Sequence, residues 1–305
     1  MRKSAKNRII AWSIVSVLLV GVLVAGIFIA KKGDMGLINT TPVSLGSSDI
    51  SNSIDIADEI TVFETNTIDN LSVSWSSGNV KVEVAKTDKI TVTVKPYLKK
   101  NNNDVVHYVN ANGTLGIYSE KQSGWNLFDS FSSKDVVITV PADKRFDNIE
   151  ISTASAEASI DGVKATDINT NTASGDTIVT NSQGDAVSMN SASGNVSVLN
   201  SEFTEIDTNV VSGKTEIDGK FKDFDSESVS GSVTINSLTE CEKIDSETVS
   251  GSVYITLPKS VNAVNVDFDS VSGSLNSEFG TSTSANAPHI KLDTVSGSAT
   301  VKKAA

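Results

Sequence analysis

The chain has a single cysteine, Cys241, in 305 residues, and only two histidines, His107 and His289. One thiol excludes an internal disulfide, a cysteine-pair redox centre and a Cys-His zinc site. A Ser-His-Asp triad would need one of two histidines that stand in no ligand-spaced cluster. The many serines therefore do not point to hydrolysis, and Cys241 is expected to be an incidental turn residue. Proline is scarce, with five residues, and aromatics make up 6%. In their place stand Ser, Thr, Asn and Asp among β-branched residues, a mixture that suits short strands and tight turns better than helices. Basic residues are thin beyond the N-terminus. Residues 1–32 hold six of the 25 Lys and Arg and no acid, leaving 19 basic against 37 acidic groups in the remainder. So acidic a surface repels nucleic acid and anionic headgroups. Neither nucleic acid nor a cofactor is expected.

One long apolar run is present. Residues 9–30 read IIAWSIVSVLLVGVLVAGIFIA without a charge. At 1.5 Å rise per residue they reach about 33 Å, enough to span a hydrocarbon core of about 30 Å. Small residues placed for signal-peptide cleavage are missing at the end of the run, which favours an uncleaved signal anchor. The basic residues before the run place the N-terminus in the cytoplasm and the bulk of the chain outside the cell membrane. The expected order is a cytoplasmic tail (1–8), a transmembrane signal anchor (9–30), a flexible stalk (31–53), an irregular β-rich region or solenoid cap (54–145) and repeats (146–305).

A Ser-Gly step recurs at Ser174, Ser193, Ser212, Ser230, Ser250, Ser272 and Ser296, with Ser155 as a degenerate first copy. The spacings are 19, 19, 19, 18, 20, 22 and 24 residues. Aligned on that serine, three apolar columns appear: Ile149 to Ile290 six residues before it, Ala154 to Val295 one before it, and Ile160 to Val301 five after it. Ser277 is the exception in the last column. Two residues before the serine the column is almost all hydroxyl. Apolar and polar residues alternate on both sides of the step, the period-two pattern of strands with one buried face. The pattern predicts an all-β fold, a parallel β-solenoid of about 19-residue coils stacked about 4.8 Å apart, with a less regular β-rich N-terminal part, preceded by one transmembrane helix. The three apolar columns become buried ladders, and the glycine after each serine permits a corner at positive φ. The four residues after Val301 are too few to cover the last coil; its edge is expected to be either blunted by the flanking lysines Lys302 and Lys303 or an assembly surface for end-to-end self-association.

The stretch DVVITVPADKRFDNIEISTASAEASIDG (135–162) and the Ser-Gly series after it resemble the bacterial "putative adhesin" β-strand-repeat family, which includes LiaG-type membrane-anchored proteins of envelope-stress loci. The resemblance implies an envelope-facing β-repeat domain. It implies no catalytic residue and no established ligand.

Two features could carry function. Five residues before the serine stand Glu150, Asp207, Asp225, Asp245 and Asp267, and at minus three stand Glu227, Glu247, Asp269 and Asp293. Stacked carboxylates repel, and Ca²⁺ or a cationic ligand would relieve them. Asp207, Asp225, Asp245 and Asp267 are thus Ca²⁺ candidates, against the plainer reading of a solvated acidic face. The second feature is an aromatic segment at 123–131, where Trp125, Leu127, Phe128 and Phe131 form either a plug over the solenoid or a patch for a partner. The leading expectation is a non-catalytic, membrane-anchored surface module that binds a protein or envelope polymer, in an envelope-stress setting. The alternatives are a self-assembling structural surface protein and a carbohydrate-active β-helix enzyme.

Overall fold

The computed structural model describes residues 59–96, 104–121, 134–282, 284 and 287–305. The segments expected at 1–8, 9–30 and 31–53, and the residues Trp125, Leu127, Phe128 and Phe131, lie outside the described residues. Among the described residues no helix is long and apolar enough to cross a membrane.

The fold is all-β. The first strands are β1 (Glu59–Glu64), β2 (Asn70–Ala85), β3 (Lys89–Pro96), β4 (Asp104–Ala111), β5 (Thr114–Lys121) and β6 (Lys134–Pro141). Then come β7 (Arg145–Asp161), β8 (Lys164–Ser174), β9 (Thr177–Thr180), β10 (Ala186–Ser193), β11 (Val196–Glu202) and β12 (Glu205–Ser212). The series goes on with β13 (Thr215–Lys220), β14 (Asp223–Ser230), β15 (Val233–Ser237), β16 (Lys243–Ser250) and β17 (Val253–Leu257). It ends with β18 (Ala263–Ser272), β19 (Leu275–Ser277), β20 (Gly280–Thr281), β21 (His289–Ser296) and β22 (Ala299–Lys303).

Each repeat gives two strands that meet at the Ser-Gly corner, so stacking builds two walls. In the first wall β7, β8, β10, β12, β14 and β16 pair in parallel, with Ser174, Ser193, Ser212, Ser230 and Ser250 in one register column. In the second wall β7, β9, β11, β13, β15 and β17 pair in the same sense. β2 and β7 each run through the corner into both walls, pairing Ser77 with Ser155. Their sixteen- and seventeen-residue lengths, respectively, come from carrying two wall segments in one strand. Ahead of β2, β5 extends the first wall and β6 the second. The antiparallel strands β4, β3 and β1 then lie outside them.

The corner glycines are at positive φ: 133° at Gly175, 150° at Gly194 and 151° at Gly213 and Gly231. A Cβ on Gly194 would lie 2.1 Å from the carbonyl oxygen of Gly175, so glycine is demanded by both torsion and space. Ala156 stands at this place in the first coil, within an unbroken β7 and without positive φ.

Two expectations need correction. The Ala/Val column one before the serine is not a buried ladder: Ala154, Ala173, Val211 and Val249 are half-buried on the outer face. Strand alternation puts the hydroxyl column inside instead, where Thr153, Thr172, Ser191 and Thr248 are buried. Thr153 there donates to or accepts from Thr172 at 2.9 Å. The columns led by Ile149 and Ile160 are core, as the alternation requires.

The second correction is the order of the coils. Repeats stack consecutively as far as β16 and β17. The next layer is formed by β21 and β22, the last strands in the sequence, and β18 and β19 lie beyond them. The physical reasons are legible in the side chains. This order continues the Ile235–Ile255 ladder into Val301, and leaves the misfit Ser277 at the stack end. It also inserts Lys291 between Asp245 and Asp267. The longer spacings of 22 and 24 residues in this part supply the chain for stepping over one layer and back.

Candidate functional site: the outer face of the first wall

Alternation along β12, β14, β16, β21 and β18 turns the residues five and three before the serine outward. In the early coils the minus-three column is a neutral amide ladder. Asn190 Nδ2 donates to Asn171 Oδ1 at 3.1 Å, and Asn209 Nδ2 donates to Asn190 Oδ1 at 3.0 Å. From β14 onward the same column reads Glu227, Glu247, Asp293 and Asp269. The neighbouring half-buried stripe changes with it, from Ala154, Ala173 and Ala192 to Val211, Val229 and Val249. The face therefore passes from neutral and small at one end of the stack to acidic and apolar at the other.

Two lysines divide the acidic end. Lys243 Nζ lies 2.6 Å from Asp225 Oδ1 and 3.8 Å from Asp245 Oδ2. Lys291 Nζ lies 3.2 Å from Asp245, 3.3 Å from Glu247 and 3.0 Å from Asp293. Burial works to lower the pKa of Lys291, but the hydrogen bond it donates to Asp293 and the charge of Asp245 outweigh it and hold it raised. The predicted acidic column is thus cut by a cation between Asp245 and Asp267, which consecutive stacking would have placed side by side.

Ahead of Lys243 the carboxylates meet with less compensation. Glu205, Asp207 and Asp225 offer oxygens within 4.8 Å of one another. Partial burial, then the charges of Glu205 and Asp225, push the pKa of Asp207 up, against a weaker opposing pull from Lys243. Neither Glu205 nor Asp207 has an ion-pair partner among the described residues. These three are the residues that could hold a divalent cation or a lysine or arginine head.

Of the four Ca²⁺ candidates, the fold brings Asp207 and Asp225 together, commits Asp245 to two lysines and sets Asp267 on the terminal strand. Sequence reasoning missed Glu205, although it stands two residues before Asp207 and so shares its face. It also missed the crossover that brings Lys291 in. The Ser-Gly serines form an exposed column along the corner, each in the same setting as the next. Cys241 lies between β15 and β16, but its side chain is buried, and burial pushes the thiol up to about 11.

Solved structures with this architecture are known. The chain is similar to a "putative adhesin" from Bacteroides fragilis at 15% identity and a TM-score of 0.53, covering 82% of this chain and 98% of that one. It is similar to a "putative lipid binding protein" from Parabacteroides distasonis at 16% identity and a TM-score of 0.50, covering 81% and 97%. At such identities the likeness concerns the fold. No curated protein matches the chain. Residues 68–302 match Toastrack DUF4097, and the chain belongs to that family.

Proposed function

We propose that the chain is a non-catalytic, adhesin-like surface module that binds a partner in the cell envelope through the acidic end of the first wall. The observation that carries this reading is the Glu205–Asp207–Asp225 group, set on a rigid wall beside a half-buried valine stripe. A cationic side chain with an apolar stem would satisfy both at once. The Bacteroides fragilis relative is described as a "putative adhesin", which agrees with a binding role for this architecture. Anchoring by residues 9–30, with the solenoid outside the cell, rests on the charge-free apolar run and its basic flank. The envelope-stress setting rests on the family resemblance.

Two measurements test the reading. In intact cells carrying the full chain, a membrane-impermeant amine reagent should label the solenoid lysines. Labelling only after permeabilisation would remove the surface placement. Retention of the same cells on polylysine-coated glass should fall several-fold for the variant Glu205→Gln, Asp207→Asn, Asp225→Asn. Equal retention would show that this face does not bind.

A further inference from the structure

The two ends of the stack are finished differently. At the N-terminal end the antiparallel strands β3 and β4 lie outside the parallel layers, and Ile90, Val92 and Val94 of β3 are buried. At the other end, among the described residues, β18 pairs with β21 on one side only, apart from a short contact of Ala263 and Val264 with β20. Inner-face residues of this last layer are less covered than their counterparts. Val266 and Phe268 are half-buried and Leu275 is 37% exposed, whereas Ile290 and Leu292 one layer in are 0% and 1% exposed. The amide of Asn265 bonds to Pro288 on the β21 side. Alternation then turns the backbone groups of Val266 and Phe268 toward the open edge.

We infer that the open edge of β18 and β19 accepts an extended, lysine- or arginine-bearing segment of another protein as an added strand. The inference rests on the reading of the chain as a partner-binding module, but the surface is a different one. Main-chain bonds to Val266 and Phe268 would supply affinity, and alternate side chains would supply choice. The stack itself shows what a layer laid against acidic strands carries. β16 brings Lys243 to Asp225, and β21 brings Lys291 to Asp245 and Glu247. On β18 the corresponding acids, Asp267 and Asp269, are exposed and have no ion-pair partner among the described residues. A strand laid next to them meets both charges with cations, while its other face covers Val266, Phe268 and Leu275.

The same charges argue against a second copy of this chain. Two-fold antiparallel pairing centred on Phe268 sets Asp267 against Asp269 of the other copy. Centring on either aspartate sets it against itself. Like charges directly opposite destabilise a strand pair.

The test uses the full chain in detergent and a nine-residue peptide that alternates lysine with isoleucine and leucine. Hydrogen exchange followed by mass spectrometry should show slowed exchange over Asn265–Ser272 on addition of the peptide. The Asp267→Asn, Asp269→Asn variant should bind about three- to thirty-fold more weakly, the size expected for two exposed ion pairs. Its exchange over β21 should match wild type, which separates lost binding from lost folding. A peptide with glutamate in place of lysine should not bind. Binding without protection at Asn265–Ser272, or equal binding of the glutamate peptide, overturns the inference. Concentration-dependent protection of the same segment without peptide would assign the edge to a second copy and overturn it too. The Glu205, Asp207, Asp225 variant should retain full protection, so failure of the acidic face leaves this result readable.

Discussion

Replacing Gly231 by alanine tests the stacking geometry at one of its tightest points. Gly231 has φ of 151°, and a Cβ there would stand 1.7 Å from the carbonyl oxygen of Gly213 and 2.8 Å from its carbon. Neither atom can step aside freely. The Gly213 amide bonds to Ser230 at 3.1 Å, and the Gly231 amide bonds to Ser250 at 3.1 Å, so the corners are joined layer to layer. The torsional cost of an L-residue at positive φ is about 1–2 kcal/mol, and forcing an extra carbon into packed structure adds about 1–3 kcal/mol. The sum, about 2–5 kcal/mol, is a large share of the 5–15 kcal/mol typical of folded domains. For a chain of this size it should lower Tm by about 5–15 °C. Urea unfolding followed by far-ultraviolet circular dichroism reads the change. Gly280→Ala is the control, because a Cβ at Gly280 meets nothing within 4 Å. If Gly231→Ala and Gly280→Ala both unfold within 0.5 kcal/mol of wild type, the glycine column does not constrain the stack.

Three further outcomes are expected. Thr248→Val should raise stability by about 1 kcal/mol, because the buried Oγ1 has no hydrogen-bond partner and Val210 already occupies the same inner column; a lower urea midpoint would contradict this. Asp207→Asn should stabilise by a few tenths of a kcal/mol at pH 7, as expected for a half-exposed charge. Its raised folded-state pKa means the ionised form penalises the fold above that pKa. The gain should therefore vanish as pH falls below about 3.9, where the carboxyl is protonated in both states, and a gain that persists at pH 3 in thermal melts would refute the cause. Cys241, 4% exposed with its thiol pushed up to about 11, should resist iodoacetamide at pH 8 until the chain unfolds; rapid alkylation of the native chain would be the contrary result.

Much of the fold could be read from the sequence because a solenoid repeats its local rules. The serine register, the glycine corners and the ladders led by Ile149 and Ile160 all follow from alternation and spacing. The side of the strand taken by the Ala/Val column followed from the same alternation. It was obscured because small apolar residues suit a half-buried outer stripe as well as a core. The coil order was not legible from periodicity, since two layers of similar sequence fit either place. Only pairwise consequences separate them: Ser277 against Ile255, and Asp267 against Asp245. The acidic site was partly legible for a similar reason. The column could be counted, but whether each carboxylate meets an acid or a lysine depends on which layer lies next to it.

The crossover at the end of the stack also sets an order of assembly. A growing solenoid can add each new coil to the one just finished, so that every contact joins neighbouring repeats. That rule holds through Leu257 and then stops, because the layer that belongs on β16 and β17 is not the next one to emerge but the strands from His289 to Lys303. The segment at Ala263–Ser277 has no template of its own until those strands arrive between it and the rest. Placing β21 and β22 on β16 and β17 therefore carries the loop-closure cost of the longest sequence separation in the repeat region, and β18 and β19 find their place in the stack only with that layer. Once they have formed, the final strand is an interior one, bonded on both sides. The chain cannot peel away from its C-terminal strand one layer at a time: the outermost layer at this end is β18 and β19, from the interior of the sequence, and β21 and β22 can leave only after it opens or by breaking two interfaces at once.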